Sequence, residues 1–296
     1  MILLTITSND AGRRLDRYLA AQYPHLPVGL LQRWIREKKI RLNGRHQHAA
    51  SRLCVDDVIK LFVSHDVLEQ GSKTPHTLPE RAELNIVYED EHIIIVNKPA
   101  GLSVHADDHA EVNTLIGHIQ AHCKNTDAAL AHRLDKNTSG ILVAAKTGPA
   151  LRALNEAFAE RNIEKTYLAL VVGTPRRLQD KLAHFLRRDI SKKHVYVYNK
   201  PIPDGKKAIL HYITITQSVE HSLLEITLET GRTHQIRAQL AHIGHPLVGD
   251  GKYGKPHKDF RGQALCAFRL HFFNIPYPLA YLNGQAFEIA PPTWAE

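Results

Sequence analysis

The chain has 296 residues, 43% hydrophobic and 23% charged, with a formal net charge of +8. At roughly 100 to 200 residues per domain this length predicts about two domains. The composition excludes a disordered or fibrous chain, and no window approaches the roughly 18 consecutive apolar residues of a membrane span. The N-terminal apolar run precedes its basic residues and lacks a small-residue cleavage site, the reverse of a secretory signal, so a cytoplasmic protein off the membrane is expected. Cys54, Cys123 and Cys266 are odd in number and fall in unrelated settings, which fits neither a disulfide framework nor a zinc site. Residues 1–64 carry +6 and the rest of the chain only +2, so the basic N-terminal part is the one suited to a polyanion.

In chain order, the pattern predicts a helix over Arg14 to Gln22, a break at Pro24-His25-Leu26-Pro27, and a second helix from Gly29 to Lys38. In the second helix Leu30, Leu31, Trp34 and Ile35 recur at helical spacing, and Arg33, Arg36 and Lys38 take most of the other side, where phosphate can be met. A short strand before Asn43-Gly44 and an alternating stretch from Asp57 to Val63 add a small hairpin. The segments RLDRYLAAQYP, LLQRWIREKKIRLNG and VDDVIKL resemble the S-four-type RNA-binding module. Val28-Gly29-Leu30 stands where that family usually has a Ser-Arg pair, and Asp56 replaces a customary glycine. Residues 65–84, polar and proline-bearing, read as a linker between this domain (1–64) and a larger one (85–296).

The larger part opens with a predicted hairpin, Ile86 to Glu89 and Ile93 to Val96. Apolar runs at Ala131 to Leu134 and Ile141 to Ala145 flank a polar loop, and Thr147-Gly148-Pro149 starts a helix with Leu151, Leu154 and Phe158 on one face. Segments Thr166 to Val172, His194 to Tyr198, Ala208 to Thr216 and Leu223 to Leu228 read as strands. The expected fold is α+β, a sheet with several flanking helices. Gly251-Lys252-Tyr253-Gly254-Lys255 lacks the spacing of a nucleotide phosphate loop.

Four constellations could carry chemistry. In His132-Arg133-Leu134-Asp135-Lys136-Asn137-Thr138-Ser139-Gly140 the loop would project side chains from a rigid sheet; by spacing alone Asp135 is more often a turn-forming aspartate than a catalyst. In Thr230-Gly231-Arg232-Thr233-His234-Gln235-Ile236-Arg237, Thr233 can cap a helix running to Ile243. Arg237 lies at the edge of the Ile236-Leu240-Ile243 stripe, either solvated or reaching inward to hold a carboxylate ionised and oriented. Lys165 and Tyr167 share a strand face, where the tyrosine either packs in the core or stacks on a base. The turn at Lys98-Pro99 and Gly101 in NKPAGLSVH reads as structural. Among the twenty histidines, His242 and His245 lack a companion ligand at a recognised spacing, so no metal is expected.

The blocks NKPAGLSVH, HRLDKNTSG, KTYLALVVG and GRTHQIRAQLAHIGHPLVGDGKYG, in that order, resemble the RluA family of RNA pseudouridine synthases. The resemblance implies the pseudouridine synthase fold, a mainly antiparallel mixed sheet with flanking helices and a central cleft, and a cofactor-free isomerisation in which the uridine base is detached, turned and rejoined through carbon five. It matches Asp135 to the catalytic aspartate, Arg133 to the arginine that displaces the target base, Tyr167 to the tyrosine packing on it, and Arg237 to the aspartate's ion-pair partner. Lys165, Arg33, Arg36 and Lys38 are expected to contact RNA. Cys266 stands where members usually carry histidine, with altered packing but retained activity expected. The implied partner is ribosomal RNA, with transfer RNA as an alternative, acted on by a monomer. A non-enzymatic ribosome assembly factor is the rival reading, and a hydrolase would need a second carboxylate that no motif supplies.

Overall fold

The computed structural model describes residues 2–295 apart from 9, 24, 25, 27, 65–67, 69–83, 106–112, 126, 259 and 261. It divides into two compact units, Met1–Thr77 and Leu78–Glu296. Of the linker expected over 65–84, all but residues 68 and 84 lie outside the described residues.

The small unit runs β1 (Ile2–Thr5), α1 (Leu15–Gln22), α2 (Val28–Arg36), β2 (Ile40–Leu42) and β3 (Val58–Leu61). Its antiparallel sheet has the order β1-β3-β2. The strand β1 was not expected from sequence. Leu31, Trp34 and Ile35 of α2 bury against Leu15, Tyr18 and Leu19 of α1 and against Ile40, Ile59 and Leu61 of the sheet. Buried Asp16 joins the helices by accepting from Gln32 at 3.0 Å and from Arg14 at 2.8 Å.

The second helix stops at Arg36, short of the expected Lys38, for an identifiable reason. Lys38 takes a φ of 63°, and the N–H groups of Lys38 and Lys39 return to the carbonyls of Ile35 and Trp34, the paired bonds that close a helix with a left-handed residue. Asn43 and Gly44 both have positive φ, as a two-residue turn requires. Leu42 and Arg45 exchange both backbone bonds across that turn, and the strand before it pairs along its length with β3. Asp56 has a φ of 66°, a left-handed conformation that glycine adopts without strain.

The large unit is built on a mixed sheet with β4 (Ile86–Glu89), β5 (Ile93–Lys98), β6 (Ala129–Leu130), β7 (Ser139–Ala145), β8 (Ile163–Val172), β9 (Gln179–Asp189), β10 (His194–Tyr198), β11 (Lys206–Gln217), β12 (His221–Leu228), β13 (Leu265–Phe272) and β14 (Ala286–Glu288). The order is β10-β9-β11-β12-β8-β13-β7-β5-β4, with β14 on β13 and β6 on β7. Helices α3 (Leu115–Cys123), α4 (Gly148–Glu160) and α5 (Gln235–His242) accompany it. Neighbours are antiparallel except β13 and β7, which run parallel. Ile93–Val96 and Ile141–Ala145 are continuously buried, as strands covered on both faces must be.

Where β7 meets β13 the backbones nearly touch. A Cβ at Gly140, whose φ is 114°, would lie 2.1 Å from the Ala267 carbonyl oxygen. Glycine is the residue that fits there.

Several sequence expectations shift. Residues 131–134 are not a strand; the strand before the polar loop is the two-residue β6. The helix near Thr147 forms as expected, Thr147 Oγ1 accepting from the Ala150 N–H. The later helix begins at Gln235, and its N-cap is His234 in a left-handed conformation, not Thr233. Gln179–Asp189 is a strand that sequence missed, and Arg187 and Arg188 lie within it.

Candidate active site

The loop between β6 and β7 carries Asp135 into a cavity of about 860 Å³. Its walls include Arg133, Lys165, Tyr167, Arg188, Arg232 and Lys252, so the cleft is strongly basic. The loop is fixed from beneath by the NKPAGL turn. Lys98, 0% exposed, donates its ammonium protons to the carbonyls of Pro99 (2.8 Å), Leu102 (2.9 Å) and Lys136 (2.9 Å). The Gly101 N–H donates to the same Lys136 carbonyl at 2.9 Å. Burial pulls the Lys98 ammonium down to about 8, although Asp135 nearby acts the other way. What sequence read as a plain turn is therefore the seat of the Asp135 loop.

Asp135 is 26% exposed on its side chain, and its Oδ2 accepts from Arg237 Nη1 at 2.7 Å. Arg237 is buried with the rest of its helix turn, including Gln235, Ala238 and Gln239, so it reaches inward. Its other edge forms two bonds to Asp250: Nε to Oδ2 at 2.7 Å and Nη2 to Oδ1 at 2.9 Å. Asp250 is 0% exposed, and its Oδ1 also accepts the N–H groups of Lys252 and Tyr253. Burial alone would raise the Asp250 carboxyl, but the bonds and charge of Arg237 outweigh it and hold the group below its usual range. Burial works against the Arg237 cation too, yet Asp250 and Asp135 together keep its pKa above the ordinary value. A bidentate pair therefore clamps one edge of the guanidinium and aims the remaining N–H at Asp135.

Tyr253 lies beside this clamp, its ring 5.3 Å from the Arg237 guanidinium. Tyr167, on β8, is buried at the cleft wall, and burial, then the Asp135 charge, raises its phenol well above the usual value. Lys165 lies 5.3 Å over the Phe158 ring. Arg133 is exposed. His132 points inward, its Nε2 accepting the Val143 N–H at 3.1 Å.

The structure thus brings Asp135, Arg237, Tyr167, Lys165 and Arg133 into one cleft. Arg33, Arg36 and Lys38 belong to the small unit, where Arg33 bonds Glu37 at 2.7 Å. Cys266 is buried and pairs across from Ser139. His242 bonds Asn199, and His245 bonds the Val172 carbonyl. Sequence reasoning assigned no role to Lys98, Asp250, Tyr253 or His234. The last three stand in the GRTHQIR and GDGKYG blocks already quoted, but nothing in the spacing says that Asp250 returns to Arg237.

A carboxylate held beside a buried arginine, in a basic cleft on a mixed sheet, defines an enzyme site suited to an anionic polymer. Comparison with known proteins agrees. The family model for RNA pseudouridylate synthase matches residues 92–242. The chain is 35% identical over 254 residues to the ribosomal large subunit pseudouridine synthase D of Escherichia coli strain K12, covering 84% of this chain and 75% of that one. It is 35% identical over 293 residues to the synthase D of Zymomonas mobilis, covering 92% and 89%. Among solved structures, human RNA pseudouridylate synthase domain containing 1 superposes with a TM-score of 0.57 at 25% identity, covering 72% of this chain and 84% of that one. The chain belongs to the RNA pseudouridylate synthase family and is an isomerase.

Proposed function

We propose that this enzyme converts specific uridines of large-subunit ribosomal RNA to pseudouridine, with Asp135 as the reacting carboxylate. The observation that carries this reading is the Asp135–Arg237–Asp250 chain of charge-assisted bonds, set in a cleft whose other charged walls are mainly basic. The synthase D relatives, named for the large ribosomal subunit, support the choice of RNA.

Breaking a glycosidic bond develops positive charge on the sugar, which an ionised carboxylate stabilises or captures covalently. Arg237, immobilised by Asp250, keeps Asp135 ionised and oriented before substrate arrives, so little reorganisation is needed at the reacting atoms. A stacked base must also leave its helix at a cost of about a few kcal/mol. Tyr167 offers a ring for the displaced base, while Arg133, Arg188 and Arg232 offer phosphate contacts that offset the cost. The small unit, with Arg33, Arg36 and Lys38 on or just after α2, serves as a further RNA contact, and the enzyme acts as a monomer in the cytoplasm.

The test is to incubate the purified protein with unmodified ribosomal and transfer RNA and map new pseudouridines. New sites in large-subunit RNA are expected; sites in transfer RNA alone would refute the substrate assignment. Asp135→Asn keeps the size and removes the charge. It should lower turnover at least about a thousandfold, as loss of an activated nucleophile commonly does, with RNA affinity changed by only a few fold. Substantial turnover by this variant would defeat the assignment of Asp135.

A further inference from the structure

Next to Asp135 stands a hydrogen-bond donor with no role in the chemistry described above. His234 Nε2 is 3.8 Å from Asp135 Oδ2, too far for a hydrogen bond. Its other nitrogen, Nδ1, is 2.8 Å from the Tyr253 hydroxyl. That hydroxyl oxygen already accepts the Val195 N–H at 3.0 Å, and the tautomer that gives its own proton an acceptor is the one with Nδ1 unprotonated. The neutral ring then carries its proton on Nε2, facing Asp135 across the gap. Both groups are held in the forms this relay needs. Burial, helped by Arg237 and Lys252, pulls the imidazole down to about 4 against the attraction of Asp135. Burial likewise pushes the Tyr253 phenol up to about 12, so it keeps its proton. The ring is also fixed in direction, meeting Tyr253 edge-on at an interplanar angle of 79°.

An N–H donor and a carboxylate acceptor, 3.8 Å apart, therefore both line the cleft. One substrate atom can satisfy both only if it accepts and donates at once. A phosphate or base carbonyl oxygen would accept from His234 but has no proton for Asp135, and a phosphate would be repelled by it. The uridine N3–H donates without accepting. A hydroxyl does both, and an oxygen about 2.8 Å from each group spans the gap comfortably. Within an RNA chain the 3′ and 5′ oxygens are esterified, which leaves the 2′-hydroxyl of the target nucleotide.

We propose that His234 and Asp135 together clasp the ribose 2′-hydroxyl of the target nucleotide, so that His234 is the residue by which the site tells RNA from DNA. The inference rests on the reading of Asp135 as the reacting carboxylate. Oδ2 then takes Arg237 and the hydroxyl, and Oδ1 faces the sugar carbon.

The test uses the full-length protein and a short hairpin around the uridine identified by mapping. The hairpin is made as product, with pseudouridine or 2′-deoxypseudouridine at the target, so that affinity is read without turnover. The parent should bind the ribose form about 5- to 30-fold more tightly, the worth of one or two hydrogen bonds. His234→Phe keeps a ring and loses the donor; its preference should fall below about threefold, through weaker binding of the ribose form alone. His234→Gln places an amide N–H near the Nε2 position and should recover part of the preference. A preference that survives His234→Phe, or an equal loss for both hairpins, overturns the proposal. So does a parent with no preference, a result that depends on no variant folding. Full activity of Asp135→Asn would instead sink the reading beneath it, and the two failures are told apart by which measurement departs.

Discussion

Replacing Asp250 by Asn tests whether the clamp on Arg237, rather than the Arg237–Asp135 contact alone, organises the site. The substitution preserves volume but removes a carboxylate that is 0% exposed and makes two bonds to Arg237, at 2.7 and 2.9 Å. The amide can accept one of them, but its NH2 group then faces a guanidinium or backbone N–H. Removing one partner of a buried ion pair typically costs about 3–5 kcal/mol. For a unit of this size that is a fall in melting temperature of roughly 6–20 °C, readable by scanning calorimetry. Arg237 keeps its 2.7 Å bond to the partly exposed Asp135 and at most one bond to the amide, and loses its fixed direction. Turnover should then fall about a hundredfold, the effect of a misplacement near 1 Å, with RNA affinity little changed. The pH dependence follows from the folded-state pKa of Asp250 lying below its ordinary 3.8. The stability it contributes is full above about pH 4 and is lost as pH falls through the lowered folded value. The stability gap between parent and variant should accordingly be widest near neutrality and close in acid. A variant that melts within about 2 °C of the parent, or a gap that does not shrink in acid, would refute the reasoning.

Gly140→Ala should destabilise by several kcal/mol, since the new methyl would sit 2.1 Å from the Ala267 carbonyl at a φ of 114°; a melting curve like the parent's would show that the two strands separate freely. Changing Arg33, Arg36 and Lys38 together to Gln should leave single-turnover rates on a short saturating hairpin intact. The slope of log affinity against log salt for long ribosomal RNA should flatten by roughly 2 to 3, at somewhat under one per lost phosphate contact. An unchanged slope would mean that this face of the small unit does not meet phosphate.

Where one element's own periodicity decides its burial, the sequence was readable. The stripe Leu31-Trp34-Ile35 and the hairpin on either side of Asp90 both appear in the structure as their patterns predict. Strand β9 was lost because its inward set, Leu182, His184 and Leu186, includes a polar member, and charged residues at both ends, Asp180-Lys181 and Arg187-Arg188-Asp189, mask the alternation. Helix α3 has a cap signal, with Thr114 Oγ1 accepting from Gly117, but it is short and carries that glycine in its first turn. In the site, the family resemblance placed Asp135 and Arg237 in one cleft, and they do bond. Asp250 and Lys98 escaped because their partners are set by the tertiary fold. A buried carboxylate and a buried lysine look from sequence like ordinary loop residues until the groups that satisfy them are known.

The parallel pairing of β7 with β13 also bears on the order in which the protein can be made. Strand β7 finishes at Ala145, whereas its neighbour starts only at Leu265. With Ser139 and Gly140 opposite Cys266 and Ala267, and synthesis at about 5–20 residues per second, the intervening roughly 130 residues take about 6 to 25 s to emerge. For that interval the Asp135 loop hangs from an apolar strand whose edge opposite β5 is paired only at Ala144 and Ala145, by β6, and an open strand edge is the condition that invites association between nascent chains. The cleft around Asp135 is therefore a late product of translation, complete only when β13 has left the ribosome and docked between β7 and β8.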